Sequence, residues 1–319
     1  MAFEKYHMPE GSAYSSIMNS KDGWLDPLVV SPRDTHSRSF IILHGRGSNA
    51  FLFGLELLTT KLPSSSFTLP ELFPCAKFIL PTSRLRHSAL NQRVKISQWF
   101  DIESIINPDQ RQELQHEGLH DSATFIHEII RQEAALVGME NVILGGLSQG
   151  CAAGLHVMLS LRCTPGQRLG GFFGMSGWLP FATQLDAIAD GKDPAVLEID
   201  GLPQKVDDNL FDRGISHNDV GTSISSQAAH FVRQEVMNFP DTDSDNQNHT
   251  SSVPIFLGHG MLDQKVPLSL GRRASTVMAK LGWKVTWKSY ADLGHWYCSE
   301  ELEDIATFVG NSERVCGIK

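Results

Sequence analysis

The chain has 319 residues, of which 41% are hydrophobic and 20% are charged, an ordinary composition for a globular protein. This length can hold one large α/β domain or two small domains. The formal net charge of −9 argues against nucleic acid as the main partner, because no overall positive field attracts phosphate.

Five cysteines are scattered along the chain: Cys75, Cys151, Cys163, Cys298 and Cys316. Their odd number and irregular spacing fit free thiols in a reducing compartment better than a disulfide framework or a metal site. The first 30 residues contain no apolar core of signal-peptide length, and no segment is long enough to span a bilayer. These features predict a cytoplasmic protein without a membrane span.

The first part of the chain predicts a buried strand behind a polar lead-in. Residues 1–37 are rich in Ser, Pro, Gly and Asp, with apolar anchors at 24–25 and 28–30, and we expect them to pack late, with one edge strand. The continuous apolar run 38–43 is typical of a strand buried in a parallel sheet. It is followed by the glycine-bearing loop 44–49 and a predicted helix over 50–62.

A second buried strand is predicted over 76–81, and a basic loop, 82–93, follows it. The loop contains Arg84, Arg86, His87 and Arg93. We favour a solvated basic face here, with a basic rim that meets an anionic substrate or lipid headgroup as the alternative. The polar residues 109–118 predict a solvated excursion, and a helical pattern over 121–137 ends at Gly138.

The next stretch predicts a strand, a sharp turn and a helix with a serine at the apex. The apolar residues 142–144 lead to Ser148, and the helical residues 151–159 follow. Gly146 and Gly150 flank the serine at two positions to either side, where a strained turn brings backbones too close for a Cβ. This pattern is typical of a nucleophile elbow, whereas the alternative is a tight turn with a surface serine.

Another strand is predicted over 169–176, so strands alternate with helices and predict a mostly parallel sheet covered on both faces. The alternation then lapses over 181–252, which contains one plausible helix (224–237) and the polar run 241–248. We interpret this insert as a cap or a partly disordered segment of a single α/β domain, 1–319.

Regular elements return after the insert: a strand over 253–260, a helix over 268–281, a strand over 283–290 and a helix over 299–309. Asp263 follows the first of these strands, and His295 lies in the loop before the last helix. The order Ser148, Asp263, His295 is the one expected of the α/β-hydrolase fold. A serine needs an imidazole to take its proton, and the imidazole needs a carboxylate to orient it. Asp292 is the weaker candidate for the acid, and we interpret His259 as a structural brace.

Six motifs together resemble the phospholipase/carboxylesterase family, which includes acyl-protein thioesterases and small cytosolic carboxylesterases. They are His44-Gly45-x-Gly47, Trp99-Phe100-Asp101, Gly146-Leu147-Ser148-Gln149-Gly150, Ser176-Gly177-Trp178-Leu179-Pro180, Gly258-His259-Gly260-x-x-Asp263-x-x-Val266-Pro267 and Gly294-His295. The resemblance covers roughly residues 38–180 and 253–310. It implies an α/β-hydrolase fold and the catalytic triad Ser148, Asp263 and His295.

The resemblance also implies an oxyanion hole, a substrate pocket and hydrolysis of carboxylic esters or thioesters without a metal or organic cofactor. The backbone N–H groups of Arg46 and Gln149 would hold the oxyanion. For His44 itself, we favour a role in bracing this loop, with a catalytic role as the alternative. The substrate pocket would lie near Trp99, Trp178 and Leu179. The implied partner is a small-molecule or acyl-chain ester or thioester, with an acylated protein as one form of it.

Three departures from the family pattern bear on the substrate. Position 46 is usually apolar in the family, residues 82–87 replace a proline-rich stretch, and the connection 181–252 is longer. We hypothesise that Arg46, Arg84 and Arg86 bias the site toward substrates with negative charge. A dedicated esterase or lactonase of a biosynthetic pathway stays open as an alternative, as does a non-catalytic receptor that binds a small ligand in the same fold.

Overall fold

The computed structural model describes residues 23–196, 223–240 and 252–311. The predicted polar run 241–248 and Cys316 lie outside these residues. Nine strands occur in this part of the chain: β1 (Leu28–Val30), β2 (Arg38–Leu43), β3 (Ala76–Leu80), β4 (Leu85–His87), β5 (Lys95–Ser97), β6 (Val142–Leu147), β7 (Gly171–Met175), β8 (Ile255–Gly260) and β9 (Val285–Tyr290).

Seven of these strands form one sheet in the order β1-β3-β2-β6-β7-β8-β9. All neighbouring strands in it run parallel except β1, which pairs antiparallel with β3 at the sheet edge. The two remaining strands, β4 and β5, form a separate antiparallel hairpin. The mostly parallel sheet and an edge strand within the lead-in are therefore as predicted, and the structure places that strand at Leu28–Val30.

The same part of the chain contains eight α-helices: α1 (Ala50–Thr59), α2 (Leu69–Leu72), α3 (Gln115–Val137), α4 (Gln149–Ser160), α5 (Ala182–Ala189), α6 (Ile224–Phe231), α7 (Leu268–Lys280) and α8 (Ser299–Asn311). They cover both faces of the sheet. Because side chains alternate along a strand, one strand can contribute to the core on each face. In β2, Phe40 and Ile42 join the core beneath α1 and α8, while Ile41 and Leu43 join the core beneath α3, α4 and α7. The α/β fold with helices on both faces is confirmed.

Helix α3 begins at Gln115 and not at the predicted Asp121, so the solvated excursion predicted over 109–118 is wrong at its end. Gln115 and Leu119 are buried, and a Cβ at Gly118 would come within 2.4 Å of the Phe100 Cα. The polar composition of this turn does not indicate its burial, because the segment that contains Phe100, elsewhere in the sequence, covers it.

The insert contains a helix that the sequence pattern did not predict. This helix, α5, is the first element after β7. The predicted helix over 224–237 is present as α6 and a π-helical turn, Val232–Val236. Ala228, Val232 and Val236 join the main core, so this part of the insert packs onto the body of the fold. The assignment of 1–319 to a single domain stays a prediction.

Candidate active site

Ser148 lies at the apex of the turn between β6 and α4, in a backbone conformation that L-residues rarely adopt. Its φ is 55° and its ψ is −119°. The turn is possible because its flanking glycines lack side chains: a Cβ at Gly146 would come within 2.5 Å of the Gly150 backbone, and a Cβ at Gly150 within 2.3 Å of the Leu43 carbonyl oxygen. The predicted strand, turn and helix are present, and the serine hydroxyl stands at the carboxyl edge of the sheet.

A continuous chain of hydrogen bonds joins the three residues predicted as a triad. His295 Nε2 lies 2.9 Å from Ser148 Oγ, and His295 Nδ1 lies 2.8 Å from Asp263 Oδ2. With Nδ1–H donating to the carboxylate, the other ring nitrogen is free to accept the serine proton. The geometry is therefore that of an activated serine, although the residues come from three separate loops.

Asp263 is held as a charged carboxylate even though its side chain has no exposed surface. Burial alone raises the pKa of Asp263, but hydrogen bonds from His259, His295 and the Val266 amide outweigh burial and bring that pKa well below its usual range. The amides of Lys265 and Val266 each donate to Oδ1 at 2.9 Å. A charged acid at this position is what a protonated imidazole needs as its partner.

Asp292 and His259, the other acid and the other histidine near the triad, lie as the sequence predicts. Asp292 is exposed to solvent, whereas Asp263 makes the hydrogen bond to His295. His259 is completely buried, with Nε2 2.9 Å from the Val266 carbonyl oxygen and 3.2 Å from Asp263 Oδ2. Both of these atoms are acceptors, so Nε2 carries the proton and braces the acid, as the sequence predicts for His259.

His44 is a neutral brace of the loop after β2. Its Nδ1–H donates to the Gly45 carbonyl oxygen at 2.8 Å, and its Nε2 accepts from the Ser83 amide at 3.0 Å. Burial lowers the pKa of His44 to about 4, and the hydrogen bond to Gly45 offsets only part of this shift. A neutral imidazole with both nitrogens occupied cannot serve as the base, so the bracing interpretation fits the geometry.

The loop braced by His44 runs directly beside the serine. A Cβ at Gly45 would lie 3.5 Å from the Ser148 Cβ, so the residue that precedes Arg46 packs against the serine. On the other side, Gln149 is the first residue of α4, and the first N–H groups of a helix have no partner within the helix. The loop and the helix terminus thus converge on one point, while the use of the Arg46 and Gln149 amides as an oxyanion hole stays a prediction.

The side chain of Gln149 has a structural part that sequence reasoning missed. It is completely buried, its Oε1 accepts from the Trp99 amide at 3.0 Å, and its Nε2 donates to the Phe100 carbonyl oxygen at 2.7 Å. A long polar side chain in the largely apolar first half of α4 was the available signal. Ser176 was missed too: its Oγ donates to the Trp296 carbonyl oxygen at 2.9 Å and thereby anchors the loop that presents His295.

The three residues predicted to line a substrate pocket are almost completely buried. The exposed fractions of Trp99, Trp178 and Leu179 are 0%, 1% and 2%. Trp99 Nε1 donates to the His44 carbonyl oxygen at 2.8 Å, so this ring supports the loop beside the serine. A substrate pocket at these residues stays a prediction.

Two of the three arginines proposed to attract an anionic substrate are already paired. Arg84 Nη1 and Arg86 Nη2 lie 2.9 Å and 2.7 Å from the same oxygen of Asp121. Their side chains are only 27% and 13% exposed, so the favoured solvated basic face is wrong for them. The alternative, a basic rim that meets an anionic substrate or lipid headgroup, stays a prediction, because Asp121 of α3 offers these two arginines a single carboxylate.

Neither a metal cluster nor a membrane span occurs in the described part of the chain. No group of three or more His, Cys, Asp or Glu side chains there could hold a metal ion. No helix formed by those residues is long and apolar enough to cross a membrane. Four cysteines in the described ranges are free thiols: Cys75, Cys151, Cys163 and Cys298.

Comparison with known proteins identifies the family of this chain. The sequence model of the phospholipase/carboxylesterase family matches residues 25–203 and 236–312. Acyl-protein thioesterase 1 of Gibberella zeae is 25% identical over 291 residues, which are 90% of this chain and 95% of that protein. Acyl-protein thioesterase 1 of Cryptococcus neoformans var. neoformans is 23% identical over 299 residues, which are 89% and 96% of the two chains.

Solved structures share the same fold. Acyl-protein thioesterase 2 of Zea mays superposes with a TM-score of 0.58 at 23% identity, over 90% of this chain and 98% of that one. SOBER1 of Arabidopsis thaliana gives a TM-score of 0.58 at 21% identity, over 86% and 99%. Both fold as this chain does.

Proposed function

Because the chain belongs to the phospholipase/carboxylesterase family of α/β-hydrolases, we propose that Ser148, His295 and Asp263 carry out its reaction. That reaction is the hydrolysis of carboxylic esters or thioesters. The observation that supports these roles most directly is the unbroken chain of hydrogen bonds from Ser148 through His295 to Asp263. Each member lies where its part of the chemistry needs it.

The first half of the reaction forms an acyl-enzyme. Ser148 Oγ attacks the carbonyl carbon while His295 Nε2 takes the hydroxyl proton, and the carbonyl oxygen becomes an oxyanion. The backbone amides of Arg46 and Gln149 hold this oxyanion, with the N-terminus of α4 adding its partial positive charge. When the tetrahedral intermediate collapses, the bond to the leaving group breaks, and His295 passes its proton to the departing alcohol or thiol.

The second half regenerates the enzyme. A water molecule attacks the acyl-serine carbonyl while His295 takes one of its protons, and collapse of the second intermediate returns that proton to Ser148 Oγ. The carboxylic acid then leaves. Asp263 holds the imidazole in the required tautomer throughout and stabilises its protonated form, consistent with its lowered pKa.

For the substrate class, we propose an acyl chain linked as a thioester or oxyester, with an acylated protein as one carrier. The support for this proposal is the name of the relatives, acyl-protein thioesterase 1, together with their similarity over about nine tenths of the chain. The sequence departs from the family pattern at Arg46 and over residues 82–87, so the acyl length is the feature to measure.

The test is hydrolysis of p-nitrophenyl esters from two to sixteen carbons, and of matching thioesters, by the wild type and Ser148→Ala. We expect turnover to rise with chain length and to fall at least about 10⁴-fold in Ser148→Ala. Ser160→Ala is the matched control: this buried serine of α4 donates to the His156 carbonyl oxygen and lies outside the site.

The outcomes separate the candidates. Turnover of short esters alone would replace the acyl-chain proposal with a small-molecule esterase, and preferential opening of cyclic esters would replace it with a lactonase. Turnover in Ser148→Ala equal to that of the wild type would contradict the proposed role of Ser148.

A further inference from the structure

One short segment, 97–100, contacts both sides of the proposed oxyanion hole. On the loop side, the Gly47 amide donates to the Ser97 carbonyl oxygen at 2.8 Å, and Arg46 Nε donates to Gln98 Oε1 at 3.0 Å. The loop that contains Arg46 is therefore tied to this segment through backbone and side chain at adjacent positions.

On the helix side, the same segment binds the residue that follows the serine. The Gln149 side chain accepts from the Trp99 amide at 3.0 Å and donates to the Phe100 carbonyl oxygen at 2.7 Å. Gln149 is completely buried, so these two bonds satisfy its amide group without water. The segment is therefore hydrogen-bonded to both residues that are predicted to supply the oxyanion amides.

The Arg46 side chain extends this connection to the hairpin. Its Nη2 donates to Ser88 Oγ and, at 3.0 Å, to Asn91 Oδ1, both in the connection between β4 and β5. Burial lowers the pKa of Arg46, an effect that the nearby Asp101 carboxylate opposes. The guanidinium forms its hydrogen bonds with three neutral side chains, a fork geometry that a lysine cannot reproduce.

Gln98 is oriented for this contact. Its Nε2 donates to the His87 carbonyl oxygen at 2.9 Å and lies 3.3 Å from Asp101 Oδ1, which leaves Oε1 facing Arg46. Gln98 is completely buried as well. The amide orientation is therefore determined by its surroundings, and the Arg46 contact is part of a closed network.

We propose that Arg46 and Gln98 are positioning residues that set the spacing of the two oxyanion amides. Oxyanion donors act through preorganisation, because they must already point at the charge when it develops. The proposal rests on the proposed function. It replaces the hypothesis that the Arg46 charge attracts anionic substrates: the guanidinium acts through the loop and the hairpin and does not touch the substrate.

The test compares Arg46→Met and Arg46→Lys with the wild type. Both variants break the fork, and only Lys keeps the charge. We expect kcat to fall about 10–100-fold in both with KM changed less than about 3-fold, since one oxyanion donor is worth about 10²–10³. The affinity for a trifluoromethyl ketone with the same acyl chain, whose adduct with Ser148 places an oxyanion in the hole, falls in proportion.

Arg86→Met is the matched control, because Arg86 also anchors the hairpin but pairs with Asp121. We expect it to lower thermal stability and to keep the wild-type kcat and ketone affinity. Wild-type kcat and ketone affinity in Arg46→Met would overturn the positioning role. So would full activity in Arg46→Lys together with a loss in Arg46→Met that is confined to anionic esters.

Asn91→Ala keeps the proposal testable should Arg46→Met fail to fold, because Asn91 is exposed and binds the same guanidinium. A fall of about 3-fold in kcat and in ketone affinity is expected, and no change in either would overturn the proposal. If the wild type shows no turnover that depends on Ser148, the proposed function itself is overturned. If the wild type turns over normally and the Arg46 variants keep its kcat and ketone affinity, only the positioning role is overturned.

Discussion

Two buried carboxyl groups beside β8 have opposite surroundings. Asp263 follows the strand and receives hydrogen bonds from two imidazoles and two backbone amides. Glu301, in the first turn of α8, is completely buried against Gly258, and neither of its oxygens makes a hydrogen bond of ordinary geometry. Both side chains are removed from water, so burial alone does not distinguish them.

The pKa values of the two groups move in opposite directions. Burial raises the pKa of Glu301 well above its usual value, the charge of Asp304 raises it further, and the Cys298 backbone offsets only part of this. At Asp263 the donors outweigh burial, and the pKa falls. The comparison shows that the donors aimed at a buried carboxyl, and not burial alone, decide the direction in which its pKa moves.

The largest expected effect comes from Asp263→Asn. An asparagine can hold its amide toward His295 and reverse the tautomer, so we expect kcat to fall about 10⁴-fold with the fold intact. Steady-state hydrolysis of the preferred ester, together with circular dichroism, measures both. Asp292→Asn, an exposed aspartate in the loop of His295, is the control and should retain wild-type turnover. Equal losses in the two variants would contradict the assignment of the acid.

A smaller effect is expected in the stability of Glu301→Gln. The pKa of Glu301 is higher in the folded protein than in the unfolded protein. The wild type therefore loses stability as the pH rises from the unfolded-state pKa toward the folded-state pKa, at about 1.4 kcal/mol per pH unit. The variant lacks this loss. Its stability relative to the wild type should therefore grow with pH from about 4.5 upward, as measured by urea unfolding at several pH values.

Glu300→Gln, at an exposed neighbouring position of α8, controls for the change in net charge. A pH-independent difference between Glu301→Gln and the wild type would show that Glu301 is not held protonated. The pH dependence expected for Asp263 has the opposite sign, because its pKa is lower in the folded protein. Its contribution to stability is present above the unfolded-state pKa and is lost as the pH falls toward the folded-state pKa.

The parts of the molecule that were predictable depend on local patterns. The strand Arg38–Leu43, the turn at Ser148 and the order of Ser148, Asp263 and His295 each follow from a short stretch of sequence, and the structure brings the three residues together. The predicted length of the final helix was also close to the observed length, because its apolar positions repeat with the helical period.

The remaining features depend on contacts between distant segments. The start of α3 is set by packing against Phe100, and the hydrogen bonds of Gln149 and Arg46 reach residues about fifty positions away. No periodic pattern encodes such pairs. The interpretation of Arg84 and Arg86 failed for the same reason, since their partner Asp121 belongs to a different element.

The most direct test of the proposed triad is the reaction of the intact protein with a fluorophosphonate, followed by mass spectrometry of the adduct. An activated serine reacts because His295 removes its proton, whereas an ordinary serine does not. We expect one adduct per chain, located on Ser148, slower labelling of Asp263→Asn and none of Ser148→Ala. An unlabelled wild type, or a label on another residue, would contradict the proposed triad and favour a ligand-binding receptor with the same fold.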